Sequence, residues 1–333
     1  MAYDIRITGT DLRFACDGEQ NILDAALKAG IGMPYSCRKG VCGNCAGGVL
    51  AGTVACPPAG EVTPPGMHLF CQCRPLSDLE IKPAAWHRVD PTARKTFSVK
   101  VYRNTAAADD VNVLQLRLPA GQRARFKAGQ YLQVALPDGS RRSYSMANPP
   151  HESDMLQLHI RHVAGGQFTQ LLPQLQPGDL LQVELPYGSF ELREDTAAPM
   201  LCVVGGTGFA PVKSLLDDML KKAIKRPVTL VWGGRNLAGL YLMSAVERWK
   251  KAMPGFTFIA AVEDAQDASA LAGFQGRVDA AVRSNFSTLQ GYEVYCCGSP
   301  AMVTAVKKAC AERGVAPQHF FSDVFVPGPA TLT

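Results

Sequence analysis

The sequence predicts a multidomain chain: a small α+β, β-grasp-like unit first, an antiparallel β-barrel in the middle, and an α/β parallel-sheet domain last. Three observations carry that expectation. Seven of the 11 cysteines lie within the first 73 residues, which points to a metal centre in a small amino-terminal domain. Runs of alternating apolar residues separated by turn signals follow, as antiparallel strands require. Beyond Pro199 the texture becomes apolar strand, glycine turn and helix, repeated, and repeated βα units build a parallel sheet. A length of 333 residues accommodates two to three such domains.

Composition narrows the class of protein. With 47% hydrophobic and 19% charged residues the chain can bury cores, which excludes disorder. The 34 Lys+Arg against 29 Asp+Glu leave a net charge of +5, too small and too scattered for nucleic-acid binding. No apolar run reaches the roughly 18 residues of a membrane span, and the opening MAYDIRITGTDLRF lacks the pattern of a secretory leader. A cytoplasmic protein without membrane or nucleic-acid partners is expected.

Residues 1–83 read as short strands at Tyr3 to Ile7 and Arg13 to Ala15, a helix at Ile22 to Ala29, a Gly/Cys-rich loop, and a closing strand at Asp78 to Lys82. Residues 84–95, with Pro83 and Pro91 bracketing mixed charge, read as a linker. The runs FSVKVY, VLQLRL, YLQVAL, LQLHIRHV and LLQVEL assign 96–196 to the barrel. The segments MLCVVGG, VTLVWGG and EVYCCG, each followed by an amphipathic helix, assign 197–333 to the parallel sheet.

The run Cys37-Arg-Lys-Gly-Val-Cys42-Gly-Asn-Cys45 has the Cys-x4-Cys-x2-Cys spacing that holds a 2Fe-2S cluster once a distant fourth cysteine is added. Small residues, here Gly40 and Gly43, let the loop wrap two irons with its N–H groups aimed at sulfur. A zinc site would more usually show two short Cys-x2-Cys hooks. Both Cys71 and Cys73 could reach such a cluster. The run resembles that of plant-type ferredoxins, whose fourth ligand stands four residues before a proline followed by Ser-Asp, and on that resemblance Pro75, Ser77 and Asp78 select Cys71. Cys16, Cys56 and Cys73 then read as core or loop thiols.

In Arg142-Ser143-Tyr144-Ser145 a guanidinium suited to a pyrophosphate stands beside an aromatic plane suited to a flavin. About 20 residues on, Gly165-Gly166-Gln167-Phe168-Thr169 forms a glycine turn opening a short helix, where backbone N–H groups and a hydroxyl offer a second anion site. His159, Ile160 and Arg161, just ahead of that turn, are assigned to the same cofactor. Val204-Gly205-Gly206-Thr207-Gly208-Phe209-Ala210-Pro211 joins an apolar strand to a helix as a phosphate-cradling turn does, with Pro211 where a dinucleotide fingerprint has its third glycine. Cys297-Gly298-Ser299-Pro300 ends the last strand of the repeat at the ligand-binding edge of an open sheet. Arg235, after the second strand, offers a guanidinium and no carboxylate, which favours the 2′-phosphate of NADPH.

Over essentially its whole length the sequence resembles the ferredoxin-NADP reductase superfamily, in its form with an amino-terminal plant-type ferredoxin domain: the reductase component of a bacterial multicomponent oxygenase. That resemblance implies FAD on Arg142, Tyr144, Ser145 and the turn Gly165 to Thr169. It implies NAD(P)H on Gly206, Thr207, Gly208, Pro211, Gly298 and Pro300, with Ser145 and Cys297 shaping the place of hydride transfer and a carboxyl-terminal aromatic, Phe325, near the flavin. Electrons would pass through the cluster to a terminal oxygenase with Rieske non-haem iron. The texture of YSCRKGVCGNCA and GGTGFAPVKSLLDD is similar to the terephthalate and isophthalate dioxygenase reductases. Reductases of di-iron monooxygenases or deoxysugar dehydratases share the modules, and an electron carrier with an inactive flavin domain is the non-enzymatic alternative.

Overall fold

A computed structural model of the chain describes residues 1–57, 61–63, 65–270 and 272–326. The carboxyl-terminal 327–333, where the sequence runs on past Phe325, lie outside the described residues. The chain folds into two compact units, Met1–Arg94 with Gly188–Phe190, and Lys95–Tyr187 with Glu191–Thr333.

The first unit is a five-stranded mixed sheet in the order Arg13–Asp17, Ala2–Ile7, Leu79–Pro83, Ala46–Ala51, Gly66–Leu69. Alternation in Ala2–Ile7 sends Ile5 and Ile7 into the core, where Phe14, Val49 and Ile81 from neighbouring strands are buried with them. The helix Ile22–Lys28 is capped reciprocally: Asp24 N donates to Asn21 Oδ1 at 2.8 Å, and Asn21 Nδ2 donates back to Asp24 Oδ2 at 2.8 Å. A second small sheet pairs Val54–Cys56 with both Glu61–Thr63 and Arg74–Pro75. The expected linker is partly ordered against this unit, because His87–Arg88 pairs antiparallel with Ile31–Gly32.

Gly188–Phe190 completes the first unit from a distant part of the chain. Tyr35 N donates to Ser189 Oγ at 2.7 Å, Ser189 N and Oγ both donate to Tyr35 O, and Gly188 N donates to Tyr35 Oη at 2.9 Å. Every polar group of Tyr35 is thereby satisfied by residues more than 150 positions away.

The second unit begins with a six-stranded antiparallel sheet in the order Arg141–Ser145, Tyr131–Ala135, Leu180–Tyr187, Lys95–Ala108, Val111–Arg117, Met155–Arg161. A bridge between Met146 and Leu158 joins its two edges and closes the barrel. Val99, Leu114, Leu132, Val134 and Leu158 fill the interior. The second sheet is parallel throughout, in the order Phe274–Gln275, Phe256–Val262, Val228–Gly234, Met200–Gly205, Glu293–Gly298, Phe320–Val324. Met200 to Val204 are all buried, as a central strand covered on both faces must be. The strand order reverses between Met200–Gly205 and Glu293–Gly298, and open α/β sheets take their ligands outside the carboxyl ends of the strands at such a switch point.

At the opposite end of the same strands Arg226 Nη2 meets Glu293 Oε2 at 2.9 Å, both side chains at most 4% exposed, and the guanidinium also donates to Ala198 O and Arg193 O. Removing one member of a buried pair leaves an uncompensated charge. Arg226→Met is therefore expected to lower stability by about 3–5 kcal/mol in urea unfolding followed by Trp232 and Trp249 fluorescence. A change within about 1 kcal/mol would show that Arg193, 3.9 Å from Glu293 Oε1, and the Tyr295 hydroxyl, 3.4 Å from Oε2, suffice to hold the carboxylate.

Candidate cluster, flavin and nucleotide sites

Cys37, Cys42, Cys45 and Cys71 come together in the first unit in two hydrogen-bonded pairs, Cys37 with Cys42 and Cys45 with Cys71. Within each pair one thiol is held as the acceptor. The hydrogen bond from Cys42 holds Cys37 below the usual thiol range, and that from Cys45 does the same for Cys71, while Cys42 and Cys45 are pushed up. N–H donors converge on these sulfurs: Lys39 N and Cys42 N reach Cys37 Sγ at 3.3 and 3.4 Å, and Gln72 Nε2 reaches Cys71 Sγ at 3.4 Å. Gly40 and Gly43 take φ of +73° and +74°, which turns the loop so that its N–H groups face inward. Four thiols ringed by N–H donors fit a thiolate-bound cluster.

Cys73 is drawn away from this set. It forms a disulfide with Cys56, so these two residues, expected as unconnected thiols, are a covalent pair. The physical reason is register: Val54 and Ala55 face Pro75 and Arg74, which sets Cys56 opposite Cys73 with Cα atoms 4.5 Å apart. Cys16 remains a free buried thiol.

In the second unit Arg142 and the glycine turn meet. The Arg142 guanidinium donates to Gln167 Oε1, to Ser140 Oγ at 3.2 Å and to Arg141 O at 3.1 Å, and the Tyr144 ring lies 5.3 Å from that of Phe168. Thr169 turns its hydroxyl onto the turn's own carbonyls, Gly166 O at 2.8 Å and Val163 O at 3.0 Å, so it braces the turn. Gly165 has φ +71°. The Ile160 side chain is absorbed into the barrel core. His159 is buried with Nδ1 2.9 Å from Tyr241 Oη, its imidazole held down to about 3 by desolvation and so neutral at physiological pH. Its Nε2 has no partner among the described residues. Arg161 pairs with Asp110 at 3.1 Å and covers Gly206.

The remaining residues of the second unit lie at or just past the carboxyl ends of the parallel strands. Gly206 to Gly208 form a 3-10 turn into the helix Phe209–Lys221, with Pro211 in its first turn. Just past Gly298, Ser299 caps the helix Pro300–Ala311, its hydroxyl accepting from Met302 N at 3.3 Å. Cys297 is fully buried, and burial pushes its thiol well above its ordinary value, so it stays protonated. Asp323, facing Cys297 on the adjacent strand, accepts a hydrogen bond from Ser145 Oγ at 3.0 Å, with Ser145 and Asp323 only 6% and 5% exposed. Arg235 is exposed on the turn after Val228–Gly234. Phe325, partly buried, is anchored by its N–H donating to Gly298 O at 2.9 Å.

Residues 5–76 match the 2Fe-2S iron-sulfur cluster binding domain, 98–192 the oxidoreductase FAD-binding domain, and 201–308 the oxidoreductase NAD-binding domain. Over 333 residues the chain is 51% identical to reductase component 2 of terephthalate 1,2-dioxygenase from Comamonas, covering 99% of each chain. Component 1 is 50% identical with the same coverage. The chain belongs to this family of iron–sulfur flavoprotein reductases. The reductase is accordingly an NAD(P)H-dependent oxidoreductase that binds FAD and a 2Fe-2S cluster. Its fold is also that of the crystal structure of Amycolatopsis cytochrome P450 reductase, with a TM-score of 0.79 and 31% identity over 98% of this chain and 99% of the other. No helix among the described residues is long and apolar enough to cross a membrane.

Asp323, the partner of Ser145, was not singled out from the sequence. The available signal was a carboxylate in the strand Phe320–Val324, two residues before Phe325. At Gly208 the backbone packs closely, since a Cβ there would stand 2.2 Å from Cys297 O. Gly208→Ala must push the turn off the strand, and is expected to raise KM for NAD(P)H by roughly tenfold or more while leaving the visible cluster spectrum unchanged. An unchanged KM would place the nucleotide elsewhere.

Proposed function

We propose that the reductase delivers electrons from NAD(P)H to the terminal oxygenase of an aromatic-ring dioxygenase of the terephthalate or isophthalate type, an oxygenase carrying Rieske non-haem iron. The observation that carries this reading is the full-length 51% identity to a terephthalate 1,2-dioxygenase reductase component. We place the work in the cytoplasm, and divide the chain into a ferredoxin domain at 1–83, a connection at 84–95, a flavin domain at 96–196 and a nucleotide domain at 197–333. The three matched segments support that division, in which Gly188–Phe190 falls within the flavin segment of the sequence while belonging to the first compact unit of the fold.

When bound, FAD accepts a hydride and the cluster carries single electrons onward, and the chain's own residues arrange that exchange. Cys37, Cys42, Cys45 and Cys71 would ligate the cluster, and the N–H groups of Lys39 and Cys42 would stabilise its negative charge. Arg142, oriented by Gln167, would neutralise the flavin's pyrophosphate, with Tyr144 against the ring system. The carboxyl ends of the strands, at Gly206, Thr207, Gly208 and Gly298, would take the nicotinamide nucleotide. Asp323 orients the Ser145 hydroxyl, and the protonated Cys297 thiol stands on the neighbouring strand without adding charge. The turn Gly233 to Asn236 carries the Arg235 guanidinium and no carboxylate of its own, which would favour the 2′-phosphate, hence NADPH over NADH.

The test is reconstitution. Purified reductase is mixed with the terephthalate dioxygenase oxygenase component, terephthalate, and either NADPH or NADH. Terephthalate consumption, faster with NADPH and slowed towards the NADH rate by Arg235→Glu, is expected. Cytochrome c reduction without terephthalate consumption, combined with support of a di-iron monooxygenase, would overturn the partner.

A further inference from the structure

We propose that Cys56, His68 and Cys73 form a second metal site in the first unit, closed as a disulfide and able to bind Zn²⁺ once that disulfide is reduced. None of the three belongs to the Cys37, Cys42, Cys45 and Cys71 set. Cys56 Sγ lies 3.7 Å from His68 Nδ1, and the three possible ligand atoms all fall within 4.8 Å of one another. In a tetrahedral zinc site, bonds of about 2.3 Å to sulfur and about 2.0 Å to nitrogen set neighbouring S and N roughly 3.5 Å apart. The Cys56 to His68 spacing already has that value within a few tenths of an ångström.

The ligands are also held by backbone. Cys56 ends the strand Val54–Cys56, His68 lies in Gly66–Leu69 paired with Gly47, and Cys73 precedes Arg74–Pro75. Strand pairing of Val54 with Pro75 and Ala55 with Arg74 keeps the two cysteines opposite each other whether or not their sulfurs are joined. Two thiolates and an imidazole are a donor set that zinc accepts, with water completing the fourth position.

The chemistry requires a reductant of the glutathione class. Two thiols of that class transfer two electrons and two protons to the Cys56–Cys73 bond, leaving two protein thiols and one small disulfide. Zinc then displaces the two thiol protons to solvent.

The experiment uses the holoprotein with FAD and cluster in place. It is treated anaerobically with glutathione, desalted, exposed to zinc, desalted again and assayed for zinc, iron and FAD. One zinc per FAD is expected after reduction and none before it, with iron unchanged. His68→Ala and Cys56→Ser should each lose the zinc while keeping the iron, and His68→Ala preserves the disulfide should Cys56→Ser fold poorly. The proposal is overturned by no zinc uptake after reduction, by uptake equal in His68→Ala, or by uptake that matches iron loss and so marks the cluster ligands.

Discussion

Cys71→Ser is expected to abolish the 2Fe-2S absorption and to bring cytochrome c reduction down to background, while Cys73→Ser retains both. The expectation rests on connectivity within the first unit. Cys71 is hydrogen-bonded to Cys45 and receives Gln72 Nε2 at 3.4 Å, whereas Cys73 is joined to Cys56. Serine at 71 replaces a soft thiolate with a hydroxyl that remains protonated and binds iron poorly. Reduction of the flavin by NAD(P)H should persist in Cys71→Ser, since the residues proposed for that step lie in the second unit. The opposite pattern, with cluster lost from Cys73→Ser and kept by Cys71→Ser, would exchange the two roles.

The second large effect concerns Ser145 and Asp323. Ser145→Ala or Asp323→Asn is expected to slow anaerobic flavin reduction by roughly 100- to 1,000-fold in stopped-flow absorbance, the range for loss of one oriented polar group at a reacting centre, which is the role proposed for this pair. Nucleotide affinity should change little. Because the two side chains act through one hydrogen bond of 3.0 Å, the double variant should be no slower than the worse single one. The Cys297 thiol, kept protonated by burial, should add no inflection to the rate below about pH 9. Single variants within twofold of the parent would remove this pair from the reaction.

Much of the fold was legible because its periodicities are unmixed. FSVKVY and LLQVEL alternate, and they become the paired strands Lys95–Ala108 and Leu180–Tyr187. MLCVVGG is continuously apolar, and it becomes the central strand of the parallel sheet. The close spacing of Cys37, Cys42 and Cys45, the cysteines proposed for the cluster, was legible for the same local reason. What escaped was set by register between distant segments. The Cys56–Cys73 pair depends on antiparallel pairing of two short strands, and the Ser145–Asp323 contact spans 178 positions. The strand His87–Arg88 carries no alternation to announce it, being only two residues long.

The return of Gly188–Phe190 to Tyr35 bears on how such a protein can be cut and recombined. A gene fragment ending at residue 94 would encode every thiol of the cluster loop and still omit the partners of the Tyr35 main chain and hydroxyl. The electron-carrying module is therefore discontinuous in the gene. Exchange of modules between reductases by a single crossover would transplant an incomplete unit, whereas a graft that also carries Gly188, Ser189 and Phe190 would transplant a whole one.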